Sequence, residues 1–145
     1  FDLSRDPGIL LRRLASHSHA MFHARTKQDE ITPPQLTLLT VLLQQGAMTQ
    51  TVLSRCSGID KNTLGEMLRR MQARGLVERI PHESDRRSLQ IAITAAGKSC
   101  VEGLVGEAEA VGAALMTPLP PQHRALFLDC LHILASHLDA PPRKG

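Results

Sequence analysis

Two clusters in this chain bring together side chains able to do chemistry, and in both the chemistry is recognition. The first lies in the middle third, where Lys61, Asn62, Thr63, Glu66, Arg69 and Arg70 follow one another at helical spacing. An asparagine amide can bond adenine in two places, so Asn62 is the leading candidate for a base contact. Lys61 can reach a guanine or a phosphate, and Thr63 offers a hydroxyl and a methyl group. Gly65 is expected to let the helix backbone approach DNA closely. Thr49, Gln50 and Thr51 begin the preceding helix, where N–H groups and hydroxyls commonly hold a phosphate. Farther on, Arg86 and Arg87 sit in a polar stretch, and a guanidinium is drawn to the negative potential of a narrow minor groove. Asp85 beside them is unfavourable near phosphates unless paired, so it is expected to hold Arg87 or an arginine such as Arg69.

The second cluster is on the first helix, which carries Arg12, Arg13, His17, His19 and His23. Arg13, His17, Ala20 and Ala24 share one flank of its apolar face. The alanines leave room there, and Arg13 can hold a carboxylate by a two-point hydrogen bond. Arg12, Ser16, His19 and His23 share the opposite, more polar face. A small anionic ligand held by Arg13 with His17 or His19 is the expected occupant. His19 and His23 are four residues apart, but two ligands without a nearby cysteine or carboxylate fall short of a metal site. No nucleophile elbow, phosphate loop or clustered carboxylate motif is present. The chain is therefore expected to be no enzyme and to need no cofactor or metal.

Composition narrows the class. The 145 residues are 42% hydrophobic, enough for one core and not for two. With three Phe and no Trp or Tyr, that core must be built of Leu, Ile, Val, Met and Ala, a mixture that favours helices. Folds that stack RNA bases on aromatic rings are excluded by the same scarcity. No apolar run is long enough to cross a bilayer, and no signal peptide opens the chain. The chain begins at Phe1 rather than Met, so its true N-terminus is expected to lie upstream. Net charge is +3, with the basic excess in residues 49–94, which suits phosphate contact. Cys56, Cys100 and Cys130 lack CxxC spacing, fit a reducing cytoplasm and are expected to be buried core thiols.

The periodicities supply the elements that must position these residues. Pro7 and Gly8 open a helix to about Lys27, with Leu10, Leu11, Leu14, Met21 and Phe22 on one apolar face. Residues 28–32 are a polar break. Pro33 and Pro34 suit the first turn of a second helix, whose run LTLLTVLL belongs in the middle of a core until Gly46 ends it. Thr49 caps a short helix, Gly58 makes a turn, and Asp60 caps a longer helix through Ala73. Leu64, Met67, Leu68 and Met71 mark the inward side of that longer helix, and Gly75 stops it. Period two then appears at residues 76–80 and 89–93, two strands joined by a charged loop. Thr94 caps a long helix with Val101, Leu104, Val105, Ala108, Val111 and Leu115 as its stripe. Residues 117–121 break it. A last helix over residues 122–138 is expected to bury Leu126, Phe127, Cys130, Leu131, Leu134 and Leu138. Residues 141–145 read as a disordered tail.

Strands with a charged loop directly after a helix-turn-helix describe a wing. The wording of that region resembles the MarR family of bacterial regulators. Gly75-Leu76-Val77-Glu78-Arg79 is followed by Asp85-Arg86-Arg87-Ser88, which fills the family's DxR signature, and by Thr94-Ala95-Ala96-Gly97, which fills its Thr-x-x-Gly. The resemblance implies a mainly α winged helix-turn-helix over residues 33–94 in a single domain. Terminal helices in residues 1–32 and 95–140 would form a dimerisation body that clasps palindromic duplex DNA. It also implies that one wing arginine enters the minor groove while Asp85 braces the loop. A small phenolic or aromatic acid entering a crevice beside the winged module would release the DNA. The apolar surface of the outer helices points independently to a partner copy.

Two other readings compete. A winged module that binds protein would want an apolar or acidic outward face on residues 60–73, and the residues there are basic. A DNA-binding redox or metal sensor would replace the aromatic effector, but the first helix lacks the cysteine of the family's thiol sensors.

Overall fold

Asp6 opens the first helix by accepting the Ile9 N–H on its carboxylate at 2.9 Å, with Pro7 at the first helical position. The structure is a computed structural model that describes residues 2–26 and 31–139. Lys27, most of the expected polar break and the expected tail lie outside the described residues. Among the described residues, six α-helices follow in order: α1 (Pro7–Arg25), α2 (Pro33–Gln45), α3 (Gln50–Ser57), α4 (Lys61–Ala73), α5 (Ala95–Met116) and α6 (Pro121–Ser136). Strands β1 (Val77–Pro81) and β2 (Leu89–Ile93) stand between α4 and α5, and short 3-10 turns flank the bundle at Leu3–Arg5 and His137–Asp139.

The helix ends are chemically specified. Thr32 and Gln35 form a reciprocal capping box at the start of α2, and Gly46 ends that helix at φ 86°. The α4 stop is a Schellman arrangement. Leu76 N–H bonds the Met71 carbonyl at 3.0 Å, and Gly75 N–H, at φ 72°, bonds that of Gln72 at 2.9 Å. Leu76 is thus committed to the helix stop, and the first strand starts one residue later than the alternation predicts. β1 and β2 pair antiparallel from Val77 opposite Ile93 to Pro81 opposite Leu89. Met48 adds a bridge to this hairpin, exchanging both backbone hydrogen bonds with Ile91 at 3.1 and 2.7 Å. That bridge ties the approach to α3 directly to the wing.

The core lies where α2 meets α3, α5 and β2, with α4 joined to it through α3 and β1. Leu38, Leu39, Leu42, Leu53, Leu64, Leu68, Met71 and Ile91 are all nearly inaccessible to solvent. The apolar run of α2 is therefore central, as its all-round hydrophobicity requires. Val101, Leu104 and Val111 bring α5 onto the same core, and Phe22 anchors α1.

The last helix departs from expectation. No residue of α6 is buried: of the six side chains expected to be covered, Leu126, Leu134 and Leu138 beyond the helix are 62%, 62% and 80% exposed, Cys130 is exposed, and Phe127 and Leu131 are half-covered. Leu10, Leu11 and Leu14 of α1 are exposed as well. The physical reason is that a single copy has nothing to lay over these stripes. The thiols differ too, since Cys56 and Cys130 are exposed and Cys100 is only half-buried.

A candidate nucleic-acid interface

Asp60 shapes the start of α4. Its carboxylate accepts the Thr63 N–H at 3.0 Å and the Thr63 hydroxyl at 2.6 Å, and these bonds hold its pKa below the usual 3.8. The Thr63 hydroxyl has thus spent its proton on the cap and is left as an acceptor. Lys61 and Asn62 are exposed on the first turn. The turn before them is closed by Gly58 at φ 71° and by Ser54, whose hydroxyl donates to the Ile59 carbonyl at 2.5 Å. Thr49 caps α3 by accepting the Val52 N–H at 3.3 Å. Thr51 is exposed, and Thr49 and Gln50 are half-buried.

Gly65 lies against the start of α3. A Cβ there would come within 3.2 Å of the Gln50 amide nitrogen. The missing side chain makes room for a residue of α3.

The middle of α4 carries a charge cluster. Glu66 receives Arg69 through both carboxylate oxygens, at 2.5 and 3.4 Å, and Arg70 at 3.7 Å. The hydrogen bond and charge of Arg69 keep the Glu66 carboxyl below its ordinary range, and Glu66 in turn raises Arg69. All three side chains are solvent-exposed, so these pairs orient the groups more than they stabilise the fold.

At the wing tip, Asp85 holds no arginine side chain among the described residues. Its Oδ1 accepts the backbone N–H of Arg87 at 3.0 Å, and its carbonyl accepts Ser88 N–H at 3.0 Å. These local bonds fold the loop and leave the Arg86 and Arg87 side chains exposed. Arg69 is engaged by Glu66 instead. The His82 ring nitrogen Nδ1 accepts Ser84 N–H at 3.1 Å, closing the other side of the loop.

The first-helix candidates are divided. Arg13 and His17 line a groove with Arg12, Ser16, Leu10 and Leu14. His19 lines a separate, largely apolar cavity of about 560 Å³ between α1 and the α5–α6 junction, with Leu14, Ser18, Met116 and Phe127. A third cavity of about 300 Å³ opens between α1, α2 and α5, lined by Ser18, Thr37 and Thr40 together with Phe22, Val41 and Val111. Sequence periodicity had no means of finding this last site, since its residues come from three separate helices. Among the described residues, no cluster of three or more His, Cys, Asp or Glu is placed to hold a metal, and no helix is long and apolar enough to cross a membrane.

The comparisons agree with this architecture. Residues 31–89 match the family model described as the MarR family. The HTH-type transcriptional repressor NicR of Pseudomonas putida is 24% identical over 145 residues, covering 100% of this chain and 90% of the relative. Among solved structures, BpsR of Bordetella bronchiseptica, described for regulation of its DNA binding by 6-hydroxynicotinic acid, is 27% identical. It superposes with a TM-score of 0.86 over 97% of this chain and 99% of that one. PcaV of Streptomyces coelicolor, solved in complex with its natural ligand, is 25% identical with a TM-score of 0.83, over 94% and 96% of the two chains. These relatives are transcriptional regulators rather than enzymes. A polar, exposed second helix of a helix-turn-helix, an arginine-tipped wing and matches of this extent make the chain similar to the transcriptional regulators of the MarR family, whose model it matches over residues 31–89.

Proposed function

We propose that this regulator is a cytoplasmic repressor that binds palindromic duplex DNA as a homodimer and lets go when a small anionic aromatic ligand binds. The observation that carries the DNA reading is the placement of Lys61 and Asn62. They are exposed on the first turn of α4, on a helix whose other face is locked into the core, and the Arg86–Arg87 tip of the wing is exposed as well. In a helix-turn-helix, this first turn meets base edges in the major groove while the start of the preceding helix touches the backbone. That second role falls to Thr49, Gln50 and Thr51. Residues 33–94 would be the DNA-binding module. The exposed apolar stripes of α1 and α6 would be covered by a second copy, so that two α4 helices meet successive major grooves ~34 Å apart.

The ligand reading rests on Arg13 and His17 sharing one groove, which favours His17 over His19 as the arginine's companion. BpsR, whose regulator is an aromatic acid, supports the ligand class. Sedimentation of the protein with a duplex selected from a randomised library tests the assembly, with two protomers per duplex expected and a monomeric complex contradicting it. Calorimetry with a panel of aromatic acids, on the wild type and Arg13→Ala, tests the ligand. Equal affinities remove Arg13 from the ligand site.

A further inference from the structure

Glu66 is the sole acidic residue of α4 and stands at the centre of its outward face. At 3.6 residues per turn, Glu66 lies opposite the buried stripe of Leu64, Leu68 and Met71, one turn beyond Asn62 and one turn before Arg69. If α4 lies in a major groove, as proposed above, this carboxylate points to the groove floor and not toward the phosphate walls. A bare negative charge there would oppose binding to any DNA. Arg69 and Arg70 offset it, since both guanidinium groups reach the same carboxylate, Arg69 at 2.5 and 3.4 Å and Arg70 at 3.7 Å.

A neutralised carboxylate is still only an acceptor, and this makes it selective. Guanine O6 and N7 and thymine O4 are acceptors that repel it. Adenine offers an amine but sets N7 beside it. Cytosine presents its N4 amine as a donor with no acceptor of its own next to it on that edge. We infer that Glu66 is a specificity-determining residue, which accepts the N4 amine of a cytosine at one fixed position in each half-site. Arg69 and Arg70 act through it as positioning residues, aiming the carboxylate and cancelling its charge.

The inference rests on the DNA-binding reading, and the test separates the two. Wild type, Glu66→Gln and Glu66→Ala are each used to select duplexes from a randomised library, and affinities for the winning sequences are then measured by anisotropy. Wild type should enrich a cytosine at one symmetry-related position, preferred about tenfold over the other bases. Glu66→Gln should move the preference at that position alone toward adenine, because a glutamine amide both donates and accepts there. Glu66→Ala should erase it, with the rest of the half-site unchanged. A consensus identical in all three proteins overturns the inference while leaving DNA binding intact. So does a uniform change in affinity across all sequences, the signature of a residue that merely restrains Arg69 and Arg70. Failure of the wild type to enrich any duplex overturns the DNA reading and this assignment with it. Thermal unfolding should be nearly the same for all three proteins, since the side chains are exposed.

Discussion

Gly97 packs against the carbonyl oxygen of Leu76 so closely that a methyl group in its place would overlap that oxygen and crowd Ile93. The same carbonyl accepts the Thr94 N–H at 3.1 Å, and the Thr94 hydroxyl donates to the Gly75 carbonyl at 2.6 Å while accepting the Gly97 N–H at 3.1 Å. The Thr-x-x-Gly signature is therefore a joint. It clamps the end of the wing and the start of α5 onto the C-terminal stop of α4, so α4 and the wing are held to one frame.

That joint makes Gly97→Ala destabilising. The new methyl meets backbone rather than a flexible side chain, and overpacking of this kind costs about 1–3 kcal/mol. Denaturant unfolding should show the midpoint lowered by a corresponding amount, and an unchanged midpoint contradicts the assignment.

Gly65→Ala should behave in the opposite way. Its methyl would press on the Gln50 amide at 3.2 Å, the far end of a side chain that can move. Replacing a mid-helix glycine also removes a penalty of about 0.5–1 kcal/mol. Thermal stability should rise slightly, while duplex affinity should fall if Gln50 meets a phosphate as proposed, because the methyl displaces it. A variant that loses stability would show that Gln50 is fixed more firmly than its place at the helix end implies.

Arg87→Ala should weaken duplex binding by about 1–3 kcal/mol with the fold intact. The Asp85 bonds that shape the loop run to backbone N–H groups and do not involve the guanidinium, so its loss should not unfold the tip. Anisotropy titration checks the affinity, and equal binding by the variant removes Arg87 from the interface.

The Asp60 cap gives a pH dependence of defined sign. Its folded-state pKa lies below 3.8, held down by the Thr63 hydroxyl and then by the Thr63 N–H. The stability it contributes is therefore complete above the unfolded value and is lost as pH falls through the lowered one. Asparagine caps comparably but does not titrate. Between about pH 6 and about pH 3, wild type should lose thermal stability relative to Asp60→Asn, and parallel curves would contradict the cap.

Much of the fold is legible in the sequence because local chemistry sets it. Thr49, Gly58, Asp60 and Gly75 act where their side-chain types predict, and α2 is central because Leu36, Leu38, Leu39 and Leu42 need cover on several sides. What cannot be read depends on distance in the chain. Met48 pairs with Ile91, and Gln50 fills the space over Gly65, both through contacts that no period encodes. Charge alone pairs Asp85 with an arginine side chain, yet the nearer backbone N–H of Arg87 wins, as short acidic side chains in turns favour local bonds. Helix α6 shows the same limit from another side. Its apolar stripe is plain in the sequence, but periodicity says that a face is apolar and not which chain covers it.

The central claim is that α4 and the wing present Lys61, Asn62, Arg86 and Arg87 to double-stranded DNA. Titrating a fluorescent duplex with the protein at a series of salt concentrations between about 50 and about 200 mM tests it most directly. The expected result is tight binding that weakens steeply and linearly on a log–log plot, with a shallower slope when Arg86 and Arg87 are both replaced by alanine. Binding that ignores salt, or no binding to the duplex at the lowest salt, would contradict it.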